Sequence, residues 1–175
     1  SLDIKHILIQ TLQDPDLELA AQSIDLLAQK DEALIEDHIL PLMQNSGRFS
    51  FKQYQQRPSG QGSDPISFLA QCSIYLETQL KILSILAQSI PHKAMDLFLK
   101  GLAAEDYRIR KACARYVGQY GHPDHLETVA VAAIREMGLA GGLSQDEKRS
   151  TTLHTARETA MAMLEAIKNL EGLPV

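Results

Sequence analysis

Glu105-Asp106-Tyr107-Arg108-Ile109-Arg110-Lys111-Ala112-Cys113-Ala114-Arg115-Tyr116-Val117-Gly118-Gln119-Tyr120-Gly121-His122-Pro123 is the stretch that decides how the chain is read. Ile109, Ala112, Cys113, Tyr116, Val117 and Tyr120 fall at i, i+3, i+4, i+7, i+8 and i+11, the period of a helix that buries one face. Arg108, Arg110, Lys111, Arg115 and Gln119 occupy its other side. The next segment repeats the pattern with Leu126, Val129, Ala130, Ala133, Ile134 and Met137. No stretch sustains the alternation of a strand, so the expected class is all-α.

Working outward, helix starts are marked by caps. Asp14-Pro15 and Asp64-Pro65 each set an acceptor before a proline at the first helical position, where the missing N–H costs nothing. His122-Pro123-Asp124 makes a similar start, and Ser144 and Glu147 have capping-box spacing. Pro91 ends one helix and opens another. These signals predict helices over 2–13, 15–29, 31–44, 65–89, 91–103, 105–120, 123–138 and 145–169. Two joints are long: a polar Gly/Ser/Gln-rich insertion, 45–63, and a Gly-rich hinge, 139–144.

The pattern recurs. The nine residues from Glu105 match the nine from Gln13 at an offset of about 92, two periods of about 46, within the range of helix-pair repeats. An intermediate copy starts at Asp64-Pro65 with Leu69, Cys72, Leu76, Leu80 and Leu83 as its stripe. A fourth starts near Asp146, with Arg157, Ala160 and Leu164 in its helix.

Composition fits this reading. Of 175 residues 45% are hydrophobic and only 5% aromatic, without tryptophan, so Leu, Ile and Ala carry the packing, as they do in helices. The net charge of -5 argues against a dedicated nucleic-acid binder. Cys72 and Cys113 lie in apolar helical patterns and read as small buried hydrophobes in a reducing, cytoplasmic compartment. No apolar run approaches the roughly 18 residues that span a bilayer. The N-terminus lacks a signal-peptide layout and an initiator Met, so the expectation is a segment processed or cut from a longer chain.

Asp106-x-x-Ile109-Arg110-x-Ala112-Cys113-x-x-Tyr116-Val117-Gly118, followed by Gly121-His122-Pro123, resembles a HEAT repeat. It is most similar to the short variety named after phycobilisome lyases, D-x-x-V-R-x-A-A-x-x-L-G-x-x-G. Other units depart from it: Glu18 stands where Arg110 would, and 64–90 has no basic residue there. The resemblance implies an α-α superhelix, a HEAT-like solenoid of about eight helices in roughly four repeats, filling 1–175 as one domain. It further implies that Arg110 pairs with acids such as Asp106 in a structural ladder, and that second helices of each pair line a concave face.

Candidate chemistry is sparse. His122-x-x-His125 has a spacing that suits a metal, but His122 reads more simply as a cap; no metal site and no cofactor are expected. His38 shares a stripe with Ile35, Ile39 and Leu42 and reads as a core or rim histidine. Neither cysteine is near a histidine in sequence, and no phosphate loop or nucleophile elbow appears. The glycines of 138–142 follow a helix, not a strand, and read as a C-cap and hinge. Arg108, Lys111 and Arg115 share a solvent face.

The expected function is a non-catalytic scaffold that binds a protein partner. The concave-face contact set would be Glu32, Glu36, Lys93, Asp96, Lys100, Glu127, Arg135 and Glu136. The insertion adds Arg48, Phe49, Phe51, Lys52, Tyr54 and Arg57, basic and aromatic residues that suit a contact loop, or else a flexible, tolerated insertion. The resemblance leaves two alternatives, a bilin lyase-like subunit and a nucleic-acid-binding HEAT-like protein related to alkylpurine glycosylases.

Overall fold

The computed structural model describes residues 3–51, 65–141 and 151–174. Among these every regular element is helical, and the chain gathers into two compact units, Ser1–Ile90 and Pro91–Val175. No helix among them is long and apolar enough to cross a membrane.

In the first unit, α1 spans Ile4–Thr11, α2 Leu17–Ala28 and α4 Pro65–Ser89. Between them α3 starts as α-helix over Glu32–Leu34, widens into a π-helix over Ile35–Ile39 and returns to α over Leu40–Met43. Pro41 explains the wide turn. It has no N–H to donate, and its ring would crowd the carbonyl one turn back in a regular helix. The π turn keeps Ile35 and Ile39 buried and leaves His38 on the rim.

Helix α2 starts two residues later than Asp14-Pro15 suggested. Asp14 Oδ1 accepts from the Asp16 N–H (2.9 Å), and Asp16 is the cap, accepting from Glu18 N–H (2.8 Å) and Leu19 N–H (3.3 Å). Asp16 therefore holds the position that Asp106 holds at the start of the 107–120 helix.

Past α3 the chain folds back on itself. The Phe49 N–H donates to Leu42 O (2.7 Å), and Gly47 lies so close beneath α3 that a Cβ would run into the carbonyl oxygens of Pro41 and Leu42. Phe49 drops fully buried into a core built from Leu12, Ile24, Leu27, Ile39, Met43 and Leu83. Its ring packs 5.3 Å from that of Tyr75 on α4. The Tyr75 hydroxyl is shared between the Arg48 and Ser50 carbonyls (3.0 Å each), and the Gln79 amide donates to Phe49 O (3.0 Å). Lys81 and Asp25 join α4 to α2 at 2.7 Å.

The second unit opens with a turn over 91–94, and α5 spans only Met95–Gly101, shorter than the 91–103 expected. Next come α6, Tyr107–Tyr120, and a 3-10 turn, Pro123–His125, that leads into α7, Leu126–Gly141. The last helix, α8, spans Thr151–Glu171; the expected start of this helix, 145–150, lies outside the described residues. Helix α8 packs against both α6 and α7. Small residues make the α6–α8 approach possible: a Cβ on Gly118 would lie 2.7 Å from Ala166 Cα. Ile109, Cys113, Val117, Val129 and Met163 fill the core, and Phe98 stacks obliquely on Tyr116 at 5.2 Å.

Candidate functional site

Among the described residues, α6 and α8 line an open depression on the second unit. The groove has a volume of about 690 Å³ and lies beside the close approach of Gly118 to Ala166. Lys111 and Arg115, one turn apart on α6, form one wall. Arg157, Met161, Leu164 and Lys168 stand at i, i+4, i+7 and i+11 of α8 and so share a stripe along the other.

The charges of this groove are unequally satisfied. Lys111 Nζ meets Glu158 Oε2 at 2.5 Å, and His154 Nε2 meets the other oxygen at 3.1 Å. The hydrogen bond and charge of Lys111 hold the Glu158 carboxyl below its usual range. Arg115, Arg157 and Lys168 make no hydrogen bond or ion pair among the described residues. Between the two α8 cations, Met161 is 59% and Leu164 44% exposed. Cation, two apolar groups and cation thus face outward in line, in a chain whose net charge is negative.

The residues expected to contact a partner are distributed differently. Glu32 is exposed and Glu36 half-buried on α3 in the first unit. Lys93, Asp96 and Lys100 are exposed on α5 and the turn before it, as are Glu127 and Arg135 on α7. Glu136 is not a surface group: its side chain is 2% exposed and receives Arg110 Nε at 2.6 Å. Arg110 also donates to the carbonyls of Ala104 (2.8 Å) and Glu105 (2.6 Å), tying the α6 start to α7. Asp106, the expected partner of Arg110, instead binds the Arg108 guanidinium at 2.9 Å and caps α6 through the Arg108 N–H. Burial alone would raise the Asp106 pKa, but the Arg108 hydrogen bonds and the charges of Arg108 and Arg110 lower it on balance.

Of the insertion residues, Phe49 is a core residue, and the Arg48 guanidinium is occupied with Leu12 O (2.8 Å) and the Phe49 face (5.5 Å). Burial of Phe49 and backbone bonds to α4 make this part of the insertion a packed element of the first unit. Phe51 is half-buried; Lys52, Tyr54 and Arg57 lie outside the described residues. His122 is a cap: its Nδ1 accepts from the Asp124 N–H while the His122 N–H donates to His125 Nδ1 (2.9 Å). Cys113 is sealed in the core, where burial pushes its thiol far above the usual range and removes it as a nucleophile.

The sequence shows Lys111 and Arg115 as a solvent face, but no local pattern joins them to α8. The signal was present in the spacing of Arg157, Met161, Leu164 and Lys168. Exposed Met161 and Leu164 on an otherwise well-packed helix separate it from an ordinary charged face. No family model, no curated protein and no solved structure matches the chain.

Proposed function

We propose that this chain is a HEAT-like helical-repeat scaffold that binds a protein partner, with the α6–α8 groove as its principal contact surface. The observation that carries this reading is the outward line of Arg157, Met161, Leu164 and Lys168 beside Arg115: cations that find no partner among the described residues, flanking exposed apolar side chains. Apolar area supplies affinity at protein interfaces and flanking charges set orientation and encounter rate. Capped amphipathic helices, the recurring Asp-led starts and the small-residue approach at Gly118 support the repeat architecture. Two free thiols, one of them in the core, suit a reducing compartment, and a cytoplasmic location belongs to the proposal.

The test is affinity capture from a cell extract with the wild-type chain and with an Arg115→Glu/Arg157→Glu/Lys168→Glu variant, followed by identification of the proteins lost. A partner retained by the wild type and lost by the variant supports the groove. A partner lost instead on changing Lys93, Asp96, Lys100, Glu127 and Arg135 would move the site to the other faces of the second unit. Transfer or binding of a bilin, read by visible absorbance, would replace the scaffold reading with the lyase-like one.

A further inference from the structure

We propose that the groove's occupant is an acidic amphipathic helix of the partner protein, lying along α8 with carboxylates at both ends of its contact stripe and apolar residues between them. This deepens the scaffold reading and rests on it.

Three features select this occupant. First, the receptor stripe has an ordered pattern. Arg157 and Lys168 lie three helical turns apart, roughly 16 Å at 1.5 Å per residue, on one face of α8. Met161 and Leu164 occupy the two turns between. A ligand with the same spacing and inverted charge, acid at i, apolar at i+4 and i+7, acid at i+11, meets every group in register, and only a helix holds that spacing on one face. Second, Lys111 and Arg115 line the groove from α6, so its cations come from two helices and would bracket a rod laid along α8. Arg115, like Arg157 and Lys168 without a partner among the described residues, adds a cation for the ligand's acidic flank. Third, Glu158 and Glu165 sit inside the groove and the whole chain carries -5, which disfavours uniformly anionic polymers and membranes. A polypeptide can place its acids opposite the cations and avoid the two glutamates.

The experiment uses a fluorescein-labelled, alanine-rich peptide of about 18 residues, long enough to be helical, carrying Glu, Leu, Leu and Glu at i, i+4, i+7 and i+11. A second peptide has the same composition with the four residues scattered around the helix. Anisotropy titration with the full chain should give saturable binding of the patterned peptide, about tenfold or more tighter than the scattered one and weakened by salt. Arg115→Glu/Arg157→Glu/Lys168→Glu should weaken it about tenfold or more, and Met161→Gln/Leu164→Gln should weaken it with little change in salt dependence. Arg135→Glu on α7 should leave it unchanged. All these side chains are exposed, and circular dichroism verifies the fold of each variant.

Equal binding of the two peptides, or equal binding of poly-L-glutamate, would overturn the patterned-helix claim. Binding only to phosphatidylserine vesicles would overturn it in favour of a membrane. Concentration-dependent self-association, lost in the triple variant and unaffected by peptide, would assign the groove to a second copy of the chain. If the peptide fails while cell-extract capture still yields a partner lost in the triple variant, this inference falls and the scaffold reading stands. If neither binds, both fall.

Discussion

Replacing Arg110 with alanine should be among the most destabilising single changes in the second unit. The Arg110 side chain is 14% exposed, and its guanidinium gives two contacts to Glu136, at 2.6 and 3.4 Å, and one each to Ala104 O and Glu105 O. Its removal leaves a carboxylate that is only 2% exposed without a counter-charge. Breaking a buried pair from one side costs about 3–5 kcal/mol, because the remaining charge keeps its desolvation penalty. With a urea slope of roughly 1.5 kcal/mol/M, that cost lowers the unfolding midpoint by roughly 2–3 M. Glu136→Gln should cost less, since Arg110 keeps both carbonyl acceptors and is better placed to reach water. The Arg110→Met/Glu136→Leu double variant should recover to within about 1 kcal/mol of wild type, as no buried charge remains. The assay is urea unfolding at neutral pH followed by circular dichroism. A cost below about 1 kcal/mol for Arg110→Ala, or a double variant as unstable as the single, would mean that this pair does not behave as a buried charge pair.

Phe49→Ala should cost about 3–5 kcal/mol, the range for truncating a buried aromatic, and thermal melts would read it; an unchanged melting temperature would return this residue to a loop role. Gly118→Val should destabilise by about 1–3 kcal/mol or more through forced separation of α6 and α8, whereas Gly138→Val, where a Cβ meets nothing, should not; the same melts compare them. Burial raises the Tyr75 phenol from 10.0 to about 12, against the lowering influence of Arg48. The protonated form is therefore the one that stabilises the fold. This contribution is complete below pH 10 and is lost as pH rises through about 12; with solvent screening it amounts to ~1–2 kcal/mol. Stability measured across that alkaline range should fall in the wild type and fall less in Tyr75→Phe.

Element type was readable from periodicity alone, because a buried stripe such as Ile109, Cys113 and Val117 is a local pattern. Starts and ends were less so. Asp14-Pro15 looks like a cap and first turn, yet Asp14 spends its carboxylate on Asp16, whose own side chain then caps α2. The back-folded Phe49 depends on partners on α4, Tyr75 and Gln79, that no local pattern reveals. The same holds for Arg110, whose partner lies 26 residues on in another helix. A polar, glycine-rich composition made Phe49 look like a contact residue, because one buried aromatic cannot offset the character of its neighbours. The groove was half legible: each wall is a pattern in one helix, but their juxtaposition depends on the close approach of Gly118 and Ala166.

A photo-crosslinking side chain placed at position 161 and, as a control, at position 131 on α7 probes directly for a protein held between α6 and α8. Both Met161 and Val131 are more than half exposed, at 59% and 54%, so solvent access alone does not distinguish them. A discrete crosslinked protein is expected from position 161, disappearing with Arg115→Glu and missing from position 131. A crosslink pattern identical at both positions, or one at 161 indifferent to Arg115→Glu, would contradict a protein-binding groove between α6 and α8.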